Sequence, residues 1–148
     1  MEKFKIDYFK NSCPGKDFPD FKVLTAKECE NIRSGLFRKL NLEGDISKLD
    51  LTRKIEQLSN SIDNHLNAKS ESFSLIKILE SNQVFFHDNV YVNWHRYDNI
   101  DIMKLKDLVR YFDYIWYPGP DDINIFDESF EWILSVDHGG FISFLQFD

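Results

Sequence analysis

Four titratable side chains of the C-terminal half stand in two turn-like segments, Asp121 with Asp122 and Asp137 with His138. Carboxylate oxygens suit hard cations such as Mg²⁺, Ca²⁺ or Mn²⁺, and the same carboxylates attract cationic groups of a partner. Their spacing does not match an EF-hand loop. Aspartate also favours turns because it hydrogen-bonds its own backbone there. The pattern therefore favours inert turns or a partner surface over a metal site.

The distribution of charge supports the partner surface. Residues 111–148 contain eight carboxylates, eleven aromatic side chains and no lysine or arginine. Residues 1–80 contain fourteen basic and thirteen acidic residues, so the net charge of −7 comes from the C-terminal half. Concentrated negative charge among aromatic side chains is typical of a surface that captures something basic. It argues against nucleic acid as a partner, because phosphate contacts require lysine or arginine.

Motifs for catalysis are missing from the sequence. It contains no dinucleotide-binding glycine loop, P-loop, zinc-protease helix motif or nucleophile elbow. Ser74 and Lys77 have the spacing of a serine nucleophile and its lysine, but the companion motifs are absent. His87 and His95, on two predicted strands, are expected to be structural. We therefore predict that the protein is not an enzyme and uses no cofactor.

Length and composition predict a single domain that spans residues 1–148. Of these residues, 43% are hydrophobic and 29% charged, which is typical of a globular protein with its own core. An apolar run long enough to span a membrane is absent, and the first residues lack the apolar segment of a signal peptide. Cys13 and Cys29 are expected to be reduced thiols. These features predict a cytoplasmic protein without a membrane partner.

The apolar spacing of the N-terminal half predicts mainly helices. Thr25 and Glu28 form a capping box, so a helix should start at Ala26. Asp50 is expected to cap a second helix with a long apolar stripe. The stripe consists of Leu51, Ile55, Leu58, Ile62 and Leu66. The N-terminal half is also predicted to contain a strand over residues 4–8 and a short helix over residues 73–79.

The C-terminal half predicts strands. Strands are expected over 84–87 and 90–95, and Asp101 is expected to cap a fourth helix. Short breaks between the later apolar segments favour an antiparallel meander. Those segments are 114–117, 123–126, 130–136 and 141–147. The predicted fold class is α+β, with a helical N-terminal half packed on an antiparallel β-meander formed mainly by the C-terminal half.

A meander would collect the acidic turns at its two ends. The first and third turns share one end, where Asp121, Asp122, Asp137 and His138 would gather. The other end would gather Asp113, Asp127, Glu128 and Asp148. Like charges held close repel, so a monomer gains nothing from them unless a partner or solvent compensates. The predicted partner contacts are Trp116, Tyr117, Asp121, Asp122, Glu131 and Asp137.

Two segments of the C-terminal region carry a family resemblance. Ile115–Ile123 reads I-W-Y-P-G-P-D-D-I, and Trp132–Gly140 reads W-I-L-S-V-D-H-G-G. They resemble small bacterial proteins associated with polymorphic toxins, in particular immunity proteins of contact-dependent growth inhibition systems. The likeness covers about the last 35 residues. It implies a cytoplasmic protein that binds a cognate toxin domain and blocks its active site. Many such toxins are nucleases with basic substrate clefts, which an acidic cap would fit.

Three functions follow from these observations, and they differ in class. The first is an inhibitory immunity protein that occludes a basic toxin domain without catalysis. The second is a small regulatory module that forms a homodimer through an edge strand. The third, less favoured, is a metal-dependent hydrolase that uses the turn carboxylates. The first predicts that reversing Asp121 and Asp122 to lysine weakens partner binding about tenfold or more without unfolding the protein.

Overall fold

The computed structural model of the chain describes residues 1–42, 44, 47–62 and 66–147. Six helices and seven strands lie within these ranges. The helices are α1 (Lys3–Ser12), α2 (Ala26–Lys39), α3 (Lys48–Leu58), α4 (Leu75–Ser81), α5 (Leu105–Arg110) and α6 (Phe112–Ile115). The strands are β1 (Phe21–Val23), β2 (Asn60–Ser61), β3 (Asn89–Asn93), β4 (Ile100–Lys104), β5 (Ile123–Phe126), β6 (Trp132–Val136) and β7 (Ile142–Gln146).

All seven strands form one antiparallel sheet in the order β1-β4-β3-β5-β6-β7-β2. The predicted α+β class is confirmed, with a helical N-terminal half and a sheet drawn largely from the C-terminal half. The run β5-β6-β7 is the predicted meander. Both edges are short, since β1 has three residues and β2 has two. Short edge strands offer few free backbone groups for pairing with a second chain.

Helices cover both faces of the sheet. As a result, alternate residues of the central strands lie in two different cores. Trp132 and Leu134 of β6 lie in the core beneath α4, α5 and α6. Ile133 lies in the core beneath α2 and α3. Phe130, two residues before Trp132, does not follow this alternation and packs against the core of Ile133. Its backbone φ of 53° turns the chain out of the strand conformation and breaks the alternation.

Local capping signals set the starts of the two longest helices. α2 begins at Ala26 as predicted, and both hydrogen bonds of the Thr25–Glu28 capping box are present. The cap of α3 is Ser47, and Asp50 is the third helical residue that bonds back to it. The prediction of Asp50 as the cap was therefore wrong by one turn.

The apolar stripe predicted for the second helix does not continue to its end. α3 ends at Leu58, and the chain turns into the short edge strand β2. The backbone N–H of Ile62 donates to the carbonyl of Ile142, 2.9 Å away. Ile62 and Leu66 are thus half-buried against the α4–α6 core, beyond the end of α3.

Four other predictions of local structure were wrong. Residues 4–8 lie in α1, where Lys5 and Phe9 are the buried residues at helical spacing. Asp101 lies within β4, and the next helix starts at Leu105. Residues 84–87 form no strand, and residues 114–117 continue from α6 into a loop. In windows this short, alternation does not separate a strand from a helix. Among the described helices, none is both long and apolar enough to cross a membrane.

Candidate functional site

A row of polar side chains crosses the sheet on the face that α2 and α3 cover. The strand register places Asn93 of β3 beside Asn124 of β5. It also places Ser135 of β6 between Asn124 and Ser143 of β7. Ser61 of β2 extends the row by one strand. Because side chains two residues apart share a face, the row lies beside the apolar positions of the same strands. Those apolar neighbours are Tyr91, Phe126, Ile133 and Leu145.

Hydrogen bonds hold one half of this row in place. The amide of Asn93 donates to Oδ1 of Asn124 over 2.9 Å, and Nδ2 of Asn124 donates to Oγ of Ser135 over 2.7 Å. Oδ1 of Asn93 accepts the backbone N–H of Tyr97 over 2.7 Å. Asn93 is fully buried, so the row is anchored inside the protein and reaches solvent at Ser135. A bonded row of this kind is preorganised to receive a polar ligand.

Four residues of the polar row, Ser61, Asn124, Ser135 and Ser143, form the floor of an open groove of about 430 Å³. Thr52 and Glu56 of α3, with Ser59 directly after its end, form one wall. The turn between β6 and β7 forms the other wall. Asp137, His138 and Phe141 line it there, with Asp122 from the loop before β5. The volume lies within the range of binding pockets.

The charged side chains of the groove are acidic. They are Glu56, Asp122 and Asp137, and lysine and arginine are absent from its described lining. A second depression of about 260 Å³ shares His95 and Asp122 with the groove and is bordered by Glu2. Asp122 thus stands between two acidic depressions. The surface as a whole has the sign of charge that attracts a cationic partner.

Asp122 and His138 form a pair at the rim of the groove. Oδ1 of Asp122 accepts the backbone N–H of His138 over 2.8 Å and lies 2.9 Å from its Nδ1. This hydrogen bond, together with the charges of Asp122 and Asp137, raises the pKa of His138 above its usual 6.5. The predicted meeting of the first and third turns is confirmed for these three residues. Both members of the pair remain accessible, with 41% and 64% of their side chains exposed.

Asp137 has a local structural role beside its place in the groove. Its Oδ1 accepts the backbone N–H groups of Gly139 over 2.8 Å and Phe141 over 2.9 Å. The bonds tighten the turn and present the ring of Phe141 at the rim, where 57% of that residue is exposed. An exposed aromatic side chain beside carboxylates is a suitable anchor for a protein partner.

Two predicted contacts, Trp116 and Asp121, are buried and are not available to a partner. Asp121 is 5% exposed, and its Oδ2 accepts from Nζ of Lys5 over 2.5 Å and from the backbone N–H of Tyr117 over 2.8 Å. Nε1 of Trp116 donates to the carbonyl of Asp121 over 3.0 Å. These contacts shape the loop that delivers Asp122. Reversal of Asp121 would place a second cation beside the buried ammonium of Lys5, so the predicted double reversal is not a neutral test of binding.

The other two predicted contacts lie outside the groove. Tyr117 is half-buried, and its ring lies 5.6 Å from that of Phe4 and 6.1 Å from that of Tyr8. Glu131 is exposed at the opposite end of β6 from Asp137, about 20 Å away at the usual rise of a strand. Of the six predicted residues, the structure therefore brings Asp122 and Asp137 into one groove and separates Glu131 from them.

The second predicted acidic cluster also divides. Asp127 is fully buried, and its Oδ2 accepts Nε1 of Trp132 over 3.1 Å and the backbone N–H of His87 over 3.0 Å. Glu128 and Asp113 are exposed, and Asp148 lies outside the described residues. Throughout the described ranges, no three histidine, cysteine or acidic side chains are placed to hold a metal ion.

The polar row was not predicted, although the sequence contains a signal for it. Asn124, Ser135 and Ser143 each interrupt a mainly apolar strand one residue after its start or before its end. In consecutive strands of a meander, such interruptions face the same side and meet when the register aligns them.

Comparisons of the chain with protein-family models, curated proteins and solved structures found no match. The function is therefore inferred from the site alone.

Proposed function

We propose that this protein is an inhibitory binding protein, an immunity protein that caps a basic surface of a cognate toxin domain. The observation that carries the proposal is the acidic groove, whose carboxylates Glu56, Asp122 and Asp137 face no lysine or arginine in its described lining. A basic substrate cleft, as in a nuclease, matches that surface in charge. The protein works by occupying the cleft and excluding substrate, without catalysis, cofactor or metal.

The physical basis of the inhibition is electrostatic steering followed by local contacts. Complementary charge accelerates the encounter of two proteins and decides their orientation more than it adds final affinity. Short-range contacts must then slow dissociation. Phe141 at the rim supplies apolar area, and the fixed Asn124–Ser135 pair supplies hydrogen bonds for lysine or arginine side chains that enter. In this proposal the protein acts in the cytoplasm, where the toxin domain would reach its substrate.

The test is the affinity for the product of the adjacent upstream gene, or for its C-terminal domain, measured by calorimetry at low and high salt. Binding should be tight and should weaken as salt rises, because exposed charges are screened. Glu56→Lys should lower the affinity about tenfold or more. Glu56 is exposed, and its side chain makes no ion pair within the described part of the chain, so the variant should fold.

Glu131→Lys is the matched control, since it makes the same charge change on an exposed glutamate at the other end of β6. It should leave the affinity unchanged. An equal loss of affinity in both variants would show that the groove is not the binding site, while the immunity role would still stand. Absence of binding at either salt concentration would overturn the proposed function itself.

A further inference from the structure

A second cleft lies on the opposite face of the sheet from the groove. It is bounded by α4, the segment before β3 and the start of α5, and it encloses about 410 Å³. Its apolar walls are the half-buried side chains of Ile76, Phe86 and Val109, and buried Leu105 lies behind them. These side chains continue the core beneath α4, α5 and α6 to the surface. The cleft is therefore a concave, solvent-accessible surface lined by apolar side chains, as is usual for a small-molecule site.

Two lysines stand at the mouth of this cleft. Lys104 is the last residue of β4, and Lys106 lies in the first turn of α5. Both are exposed, and neither ammonium has an ion-pair or hydrogen-bond partner within the part of the chain that the structure describes. Their position is unusual for this protein, because residues 81–148 contain four basic and twelve acidic residues. A pair of unpaired cations within an acidic surface focuses anions at one place.

The remaining polar groups of the cleft leave this positive character in place. Asp88 contributes the one carboxylate of the described lining, so the two lysines exceed it by one charge. His87 lies at the edge, where its Nδ1 is 3.2 Å from Oδ2 of the buried Asp127. The combination is an apolar cavity with cationic groups on one side only.

We propose that this cleft binds a small alkyl carboxylate. The alkyl chain lies against Phe86, Ile76 and Val109, and the carboxylate lies between the ammonium groups of Lys104 and Lys106. Each methylene group removed from water contributes to affinity by roughly a factor of four. The carboxylate gains charge-assisted hydrogen bonds from the lysines. This site is separate from the acidic groove and does not depend on the binding of a toxin.

The probes for the experiment are hexanoate, octanoate and octan-1-ol, titrated into the purified, isotopically labelled protein. Octanoate should cause saturable shifts of the backbone amide signals of residues 86–88 and 104–109. Hexanoate should bind more weakly, by roughly a factor of four for each missing methylene. Octan-1-ol has the same chain without the charge. Its affinity should be at least about tenfold lower than that of octanoate.

Variants test the two lysines without disturbing the core. Lys104→Gln with Lys106→Gln should lower the affinity for octanoate about tenfold. Lys3→Gln with Lys16→Gln removes the same charge from exposed lysines elsewhere and should leave the affinity unchanged. Val109→Phe should also reduce binding, because the larger side chain fills the cavity.

Three results would overturn the proposal. The first is the absence of saturable shifts with octanoate up to about 10 mM. The second is equal affinity for octan-1-ol and octanoate, since the lysines would then recognise nothing. The third is an equal loss of affinity in the control pair of lysine variants, which would reduce the effect to net charge.

Discussion

Nζ of Lys5 lies 2.5 Å from Oδ2 of Asp121, and this ion pair joins α1 to the loop before β5 across 116 positions of the chain. Lys5 is fully buried and also donates to the carbonyl of Ile115 over 2.8 Å. Its ammonium lies 3.9 Å from the centre of the Trp94 ring. A buried ammonium is tolerated because these groups together replace its water. The pair thereby holds the loop that carries Asp122 to the groove.

Lys5→Met should lower the free energy of unfolding by about 3–5 kcal/mol, because it leaves the carboxylate of Asp121 buried and unpaired. Urea denaturation followed by tryptophan fluorescence measures the change. Lys3→Met alters an exposed lysine of the same helix and should stay within about 0.5 kcal/mol of the parent protein. A Lys5 variant as stable as the Lys3 variant would show that the ion pair does not stabilise the fold.

Asp127→Asn should lower the free energy of unfolding by about 2–4 kcal/mol at pH 7. The buried carboxylate accepts from Trp132, from the backbone of His87, and from both the backbone N–H and hydroxyl of Ser129. An asparagine amide offers a single acceptor oxygen to these donors. Glu128→Gln changes an exposed neighbour and serves as the control.

The same carboxylate should make stability depend on pH. Burial raises the pKa of Asp127, but the hydrogen bonds from Ser129 and His87 outweigh it and leave the pKa below the usual 3.8. A lowered pKa in the folded state gives stability that is present above pH 3.8 and lost as pH falls through the folded-state value. Urea denaturation between pH 7 and pH 2 should show this loss in the parent protein and a smaller one in Asp127→Asn. Identical pH profiles would contradict the assignment.

The pKa of the His138 ring should lie above 6.5 in the folded protein. Asp122 accepts a hydrogen bond from its Nδ1 and so stabilises the charged form. Asp122→Asn should move that pKa down toward 6.5. The sign of the linkage follows, since a raised pKa adds stability below pH 6.5 that is lost as pH rises through the folded-state value. Nuclear magnetic resonance of the ring signals measures both pKa values. An unchanged pKa of His138 in Asp122→Asn would contradict the assignment.

Ser143→Leu should block the groove and lower the affinity for the proposed toxin partner about tenfold or more. Ser143 is half-buried in the polar row, and the leucine side chain would lie over the floor of the groove. Gln146→Leu places the same side chain at an exposed position at the other end of β7 and should leave binding unchanged. Calorimetric titration measures the affinity of each variant. Unchanged affinity of the Ser143 variant would move the interface off the groove.

Gly35→Ala should destabilise the protein by about 1 kcal/mol, although alanine is the better helix former by about that amount. A Cβ at position 35 would meet the ring of Phe130 at 2.7 Å, which is too close for an unshifted side chain. Thermal denaturation measures the change, with Asn31→Ala on the exposed side of α2 as the control. Phe130→Leu combined with Gly35→Ala should recover part of the loss, because the contact is removed.

Local structure was predictable where neighbouring residues determine it. The Thr25–Glu28 box starts α2 at Ala26, since both partners lie within one turn. The strands β5, β6 and β7 fall within the predicted apolar segments because short acidic and glycine-containing turns separate them. The order of those strands follows from the short connections, which permit only antiparallel neighbours.

The candidate site was only partly predictable for the same reason. The meander brings Asp122, Asp137 and His138 to one end, as the alternation of turns requires. It cannot show that Asp121 turns inward while Asp122 turns outward, because adjacent residues of a turn have no fixed period. That difference depends on Lys5, whose partner lies more than a hundred residues away.

The α+β class, the capped start of α2, the meander and the excess of negative charge at its turns can be read from the amino-acid sequence. Which acidic side chains are buried, and that Asn124, Ser135 and Ser143 form one floor, depends on how the strands and helices pack. The two groups of features differ in the range of the interactions that produce them. Caps, turns and apolar periodicity act over a few residues, whereas strand register and the burial of Lys5 arise from contacts between distant segments that form together.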